Sequence, residues 1–236
     1  MIDLSVAMTV CNEENTLPEL ILRIVTVLKN TDLQYEILIL DNGSTDMTPK
    51  ICEELEISFS SVKTFRNEVT KYYLDALRQI LLKTIGRYVF YTDGDLQYNP
   101  EEVLRFYRHR NCDVVSGVKV RRRDPFLRKI ESIFFHTFTG LVFFKFFRDP
   151  NTGLKLLRRE VIEDIVPKLK YLKYSPGTEI MYRAWKKGYH ILEIGVEHKK
   201  RKYGESKISR IKNIKKVIKI QLHGLYHLWK DLVFGH

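Results

Sequence analysis

Two hydrophobic rhythms alternate along the first half of the chain. Leu4–Val10, Tyr35–Leu40 and Tyr88–Tyr91 are short, largely apolar runs of the kind that form buried strands, and Val62–Phe65 and Asp113–Gly117 are weaker versions. Between them lie segments with apolar residues every three or four positions. Thr16–Lys29 carries Leu17, Leu20, Ile21, Ile24, Val25 and Leu28 in this way, and Tyr72–Thr84 and Pro100–Arg108 also read as helices. Thr45-Asp46 reads as a helix cap with Pro49 in the first turn behind it. Strands alternating with helices of this length predict an α/β fold built on βαβ units, a mainly parallel sheet flanked by helices.

The second half changes character. Phe126–Phe147 contains Phe134, Phe135, Phe138, Phe143, Phe144, Phe146 and Phe147, and follows Arg121-Arg122-Arg123. As a helix it fits burial in the core and a position in a bilayer interface equally well. The chain then returns through Thr152–Leu157, a helix over Thr178–Lys187 and a last strand over Tyr189–Val196. In the tail, Ile208, Ile211, Lys215, Ile218, Leu222, Leu225, Trp229 and Leu232 recur at helical spacing, with Lys212, Lys216 and Lys219 mainly on another face. That is a basic amphipathic helix, suited to an anionic lipid surface or to packing one stripe on the domain. The expected division is a catalytic domain over 1–207, including the Phe-rich segment 124–148, and the amphipathic helix over 208–236.

In parallel α/β sheets ligands lie beyond the carboxyl ends of the strands. Asn12-Glu13-Glu14, Asp41-Asn42-Gly43 and Asp93-Gly94-Asp95 all fall at such ends. Asp93, Asp95 and Gln97 form a hard-oxygen set suited to Mg²⁺ or Mn²⁺, although an acidic Asp-Gly turn has the same composition.

Charge sharpens the search for a partner. The 236 residues carry a formal net charge of +11, which calls for an anionic ligand or surface, and 44% hydrophobic with 29% charged residues fits a folded chain. Nucleic acid is the bland candidate, but no recognition helix, RNP-like aromatic motif or zinc module is legible, so no nucleic acid is expected. Cys11, Cys52 and Cys112 lack metal or disulfide spacing and read as small buried hydrophobes in a reducing compartment. No secretory signal opens the sequence, and its longest apolar stretch, Ile133–Phe147, includes His136 and Lys145 and falls short of the roughly 18 residues of a spanning helix. A cytoplasmic protein, peripheral on the inner face of the membrane, is the expected setting.

Asn12-Glu13, Asp41–Asp46, Asp93–Gln97, Asp149–Gly153 and Arg201–Lys207, in this order, resemble inverting glycosyltransferases of the GT-A fold, family 2. The likeness runs to about Ser209 and is greatest to dolichyl-phosphate mannose synthases and related polyprenyl-phosphate glycosyltransferases. It implies a Rossmann-like GT-A domain that transfers a hexose from a nucleotide sugar, GDP-mannose or a UDP-hexose, to a polyprenyl phosphate with inversion, using Mg²⁺ or Mn²⁺. The resemblance places Thr9, Cys11, Asn12, Glu13, Asp41, Gly43, Asp93 and Gly94 around the nucleotide sugar. It places Asp93, Asp95 and Gln97 at the metal, and Lys119, Arg128, Ser132 and Arg201 at the acceptor phosphate. Asp93, Asp95 and Arg201 are the implied catalytic residues.

The departures are specific. Thr9 and Cys11 stand where the family often has Pro and Tyr, and Glu68–Tyr73 replaces its glycine-rich stretch. Gly-Val-Lys119 replaces a frequent Gly-Ser-Arg, and the membrane-spanning helices that many relatives carry are absent, so a separate membrane protein is a candidate anchor. A hydroxyl acceptor would need a general base, whereas a phosphate is already largely anionic at neutral pH. Relatives acting on hydroxyls often carry an acidic pair; the comparable stretch here offers Glu179 alone, either a base or a first-turn helix carboxylate. A transferase acting on a saccharide or other hydroxyl through Glu179 is therefore the alternative, and a non-catalytic nucleic-acid binder a second.

Overall fold

The computed structural model describes residues 1–121, 126–200 and 214–235, the backbone alone at 121, 126–133, 214 and 215. The strands are β1 (Leu4–Val10), β2 (Tyr35–Asn42), β3 (Val62–Asn67), β4 (Tyr88–Tyr91), β5 (Val114–Arg121), β6 (Lys155–Arg158) and β7 (Ile191–Glu197). The helices are α1 (Leu17–Lys29), α2 (Thr48–Ser58), α3 (Tyr73–Lys83), α4 (Glu102–Tyr107), α5 (Phe126–Phe143), α6 (Arg159–Ile165), α7 (Pro176–Lys186) and α8 (Ile214–Phe234).

Among the described residues the strands form one seven-stranded sheet in the order β3-β2-β1-β4-β6-β5-β7. Every neighbouring pair is parallel except those made by β6, which runs antiparallel between β4 and β5. The expected mainly parallel α/β sheet is thus observed. The exception has a consequence: Lys155, at the start of β6, lies at the same sheet edge as the carboxyl ends of the other strands.

Both faces of the sheet are covered. On one, the apolar stripe of α1 (Leu17, Leu20, Ile21, Ile24, Leu28) joins α2 and α4 over Val6, Met8, Ile37 and Ile39. On the other, α3, α6, α7 and α8 cover Ala7, Leu38, Leu40 and Val89. Each such side chain removed from water contributes roughly 1.5–3 kcal/mol before chain entropy is counted.

Three elements differ from the sequence reading. The Phe-rich helix stops at Phe143, not Phe147, because Phe144 turns left-handed (φ +53°) and Lys145 N–H donates to Gly140 O (3.1 Å), closing the helix end. β5 runs on to Arg121 because β7 pairs along it as far as Glu197. Helix α6 was not legible, its Val161, Ile162 and Ile165 being too few to declare a period beside Arg158-Arg159-Glu160.

The two segments with ambiguous amphipathicity both divide between core and surface. In α5 and the turn after it, Phe143 and Phe147 pack on Tyr182 of α7, at centroid distances of 4.3 and 5.2 Å. Phe134, Phe138, Leu141, Phe144 and Phe146 stay exposed. In α8, Gln221, Leu225 and Leu228 are buried, while Ile218, Leu222, Tyr226, Val233 and Phe234 are exposed. Among the described residues no helix is long and apolar enough to cross a membrane.

Candidate functional site

Loops from the ends of β1, β2 and β4 meet at one edge of the sheet, and the contacts between them are reciprocal. Asn12, in left-handed backbone at φ +57°, donates its N–H to Ser44 Oγ (2.9 Å) and accepts the Thr45 N–H on Oδ1 (2.8 Å). Glu13 N–H donates to Thr48 Oγ1 (2.9 Å), and Glu14 Oε2 accepts the Met47 N–H (3.0 Å). Thr16 Oγ1 lies 2.9 Å from Glu13 Oε2 and 3.2 Å from Gly94 O, so the first loop also reaches the Asp-Gly-Asp loop. The structure therefore brings together the loops that carry Asn12, Asp41 and Asp93. Asp41 is buried, accepting the Ser44 N–H on Oδ1 (3.0 Å), with Oδ2 3.6 Å from Arg66 Nε.

Two glycines are required by close approach. Gly43 has φ +75°, and a Cβ there would sit 2.5 Å from Thr70 N. A Cβ on Gly94 would meet Val10 Cγ1 at 2.4 Å, which is how the acidic loop lies flat against β1. Cys11 sits beside this turn, its Sγ 3.8 Å from Gly43 O.

The acidic loop presents two half-buried carboxylates. Asp93 Oδ1 accepts the Tyr73 hydroxyl (3.1 Å); Tyr73 lies 2.6 Å from the Tyr91 hydroxyl, which lies 3.3 Å from Thr9 Oγ1. Burial, and then the Asp93 charge, push both phenols well above the usual tyrosine range. On its other side Asp93 Oδ2 rests against Gly153, where a Cβ would stand only 1.9 Å away. Asp95 Oδ1 accepts the Gln97 N–H (3.2 Å), while Gln97 Nε2 donates to Lys199 O (2.9 Å) and ties the chain after β7 to this loop.

Among the described residues no group of three or more His, Cys, Asp or Glu side chains converges. The two carboxylates of this loop fit a Mg²⁺ or Mn²⁺ ion, which would take its remaining ligands from water and donor phosphate oxygens.

Beside this loop the start of β6 supplies a charge that sequence reasoning missed. Lys155 is buried, donates from Nζ to Thr152 O (2.7 Å), and has its pKa pulled down to about 8 by burial, partly offset by Asp149 and Asp93. Asp149 is buried and accepts the Lys119 N–H on Oδ2 (3.4 Å), which places half-buried Lys119 at this end of β5. A lone lysine in the apolar run Leu154–Leu157 was the available signal. Of the remaining acceptor candidates, Arg128 and Ser132 fall on the backbone of α5, and Arg201–Lys207 and the arginines at 122 and 123 lie outside the described residues.

Glu179 is held as a structural carboxylate. It is fully buried, and its carboxylate accepts the N–H groups of Lys170 (3.2 Å), Tyr171 (3.0 Å) and Leu172 (2.9 Å) together with Arg183 Nε (3.1 Å). Arg183 Nη2 also pairs with Asp231 of α8 at 2.8 Å. With its acceptor positions taken and its side chain shut off from solvent, Glu179 anchors the 170–172 turn and, through Arg183 and Asp231, helix α8, which disfavours the hydroxyl-acceptor alternative built on it.

Known proteins share this architecture. Glucosyl-3-phosphoglycerate synthase from Mycobacterium tuberculosis, in complex with Mn²⁺, UDP-glucose and phosphoglyceric acid, superposes with a TM-score of 0.69 at 16% identity, over 95% of this chain and 80% of that one. The same enzyme with Mg²⁺ and UDP gives a TM-score of 0.70 at 17% identity over the same shares. S. aureus TarS 1-349 with UDP-GlcNAc gives 0.63 at 18% identity, over 93% of this chain and 64% of that one. At such identities the likeness establishes the fold. The sequence itself matches the family described as "Glycosyl transferase family 2" over residues 5–166, from the first strand through the acidic loop to helix α6, and the protein is a glycosyltransferase of that family.

Proposed function

We propose that the protein transfers a hexose from a nucleotide sugar to a polyprenyl phosphate at a membrane surface, inverting the anomeric carbon. The observation that carries this reading is the exposed aromatic and aliphatic face of α5 and α8. Phe134, Phe138, Leu141, Phe144 and Phe146 on one helix and its closing turn, and Ile218, Leu222 and Tyr226 on the other, are open to solvent, and the two helices touch. An apolar patch of this kind, on a chain of net charge +11, suits the interface of an anionic bilayer, on its cytoplasmic face.

The chemistry of the site supports the same acceptor. With Glu179 committed to structure, a phosphate nucleophile, anionic without a base, is the simpler partner. Lys119, with Arg128, Ser132 and Arg201, would hold it, while Thr9, Cys11, Asn12, Glu13, Asp41, Gly43 and Gly94 surround the donor. Asp95, with Asp93 and Gln97, would hold Mg²⁺ or Mn²⁺, which when bound offsets the charge developing on the departing diphosphate. The complexes of the M. tuberculosis synthase with UDP and either metal support such a cofactor. A separate membrane protein remains a candidate partner for the exposed helices.

The test is a panel of radiolabelled GDP-mannose and UDP-hexoses incubated with polyprenyl phosphate in detergent and Mn²⁺ or Mg²⁺. Label in an organic-extractable, mild-acid-labile product is expected. Label confined to water-soluble product would overturn the acceptor assignment.

A further inference from the structure

The hydroxyls of Thr9, Tyr91 and Tyr73 form a line that ends on Asp93, and its direction can be deduced. Tyr73 donates its hydroxyl to Asp93 Oδ1 at 3.1 Å, which uses its single hydrogen. Phenols are protonated at neutral pH. Tyr73 can then meet Tyr91, 2.6 Å away, only as acceptor, so Tyr91 donates to it. Having spent its hydrogen, Tyr91 accepts from Thr9 Oγ1 at 3.3 Å. All three hydrogens point toward Asp93.

Tyr73 stands at the end of Glu68–Tyr73, which replaces the glycine-rich stretch that the family resemblance leads one to expect. This segment is fastened by Asn42, whose Nδ2 donates to Lys71 O (3.0 Å) and whose Oδ1 accepts the Lys71 N–H (3.1 Å). A glycine would carry no side-chain donor to send to Asp93. On the opposite side Asp93 Oδ2 occupies the space that a Cβ on residue 153 would take, which glycine leaves open.

We infer that Tyr73 is the positioning residue for Asp93, holding its carboxylate against Gly153 through a one-way hydroxyl line that starts at Thr9 in the donor site. Thr9 consequently meets a nucleotide only as an acceptor or through its methyl group. The inference rests on the reading of Asp93 as part of the donor site.

Tyr73→Phe removes only the donor oxygen. In that variant Asp93 adopts another rotamer in a crystal structure of the metal-free protein. Its affinity for Mn²⁺ in the presence of UDP, followed by electron paramagnetic resonance, falls about tenfold, with kcat lowered and only a modest fall in melting temperature as Tyr91 loses its acceptor. Tyr91→Phe, one step farther, loses less, and Thr9→Val least. An unmoved Asp93 carboxylate in the Tyr73→Phe crystals overturns the inference whatever the kinetics. Should the wild-type protein bind no Mn²⁺ with UDP, the cation reading fails by itself, and the Asp93 rotamer alone still decides the role of Tyr73.

Discussion

The donor edge and the α5–α8 side of this molecule solve opposite problems. At the donor edge, loops with little regular structure are held by side chain–backbone contacts: Asn12 to Ser44 and Thr45, Glu13 to Thr48, Asn42 to Lys71. At the α5–α8 side, regular helices leave much of their apolar surface uncovered, Phe144 being 92% exposed. Polar groups are spent internally where a charged ligand is to be aligned, and apolar groups are left open where, on the proposed reading, a membrane surface is met. A site that positions atoms should fail when one contact shifts, whereas a surface that adheres should fail gradually.

The largest effect separating the two sides is expected at Asp95. Asp95→Ala should lower kcat for sugar transfer about 10³-fold, with melting temperature and vesicle binding unchanged. Loss of vesicle binding in that variant would mean the two sides are not independent. Next comes Glu179, where the expected loss is in stability. Gln in its place turns an amide N–H₂ toward the N–H groups of Tyr171 and Leu172 and weakens the Arg183 pair, at a cost of about 3 kcal/mol in urea unfolding. The kcat of the folded fraction should stay within about threefold; a collapse there would restore Glu179 as a base.

Gly153→Ala tests how finely the donor edge is set. The new methyl would overlap Asp93 Oδ2, and displacing that carboxylate by about an ångström should cost about 10²-fold in kcat. An activity loss without a change in Mn²⁺ affinity would place the fault elsewhere in the Asp149–Gly153 turn.

The two sides also differed in how much of them could be read from sequence. The strands β1, β2 and β4, the helix α1 and the three polar loops were legible, because buried strands are apolar runs and ligand loops lie at strand ends. The placement of Tyr73 against Asp93 and of Lys155 beside the same loop was not. Tyr73 belongs to a stretch that lost the expected pattern, and Lys155 matters because β6 enters the sheet antiparallel, a fact of tertiary pairing rather than local propensity. On α5 and α8 the period was clear, but an apolar residue looks the same in sequence whether a neighbour covers it or water does. Phe143 and Phe144 are adjacent, and only the turn between them makes one buried and the other bare.

That turn supplies the smallest and cleanest effect. Phe144 occupies the position after the helix end where the backbone must turn left-handed, usually the place of glycine or asparagine, and a bulky side chain there raises the energy by roughly 1 kcal/mol. Its ring gains almost nothing from the rest of the protein in return. Phe144→Asn should therefore hold or raise the melting temperature, because asparagine tolerates this conformation. If the ring enters a bilayer interface, the same change removes apolar contact worth about 1.5 kcal/mol and should weaken binding to anionic vesicles about tenfold. Stability and membrane affinity would then move in opposite directions on one substitution, which a purely structural residue cannot produce. Vesicle affinity that is unchanged while the protein becomes more stable would show that this aromatic face meets something other than lipid.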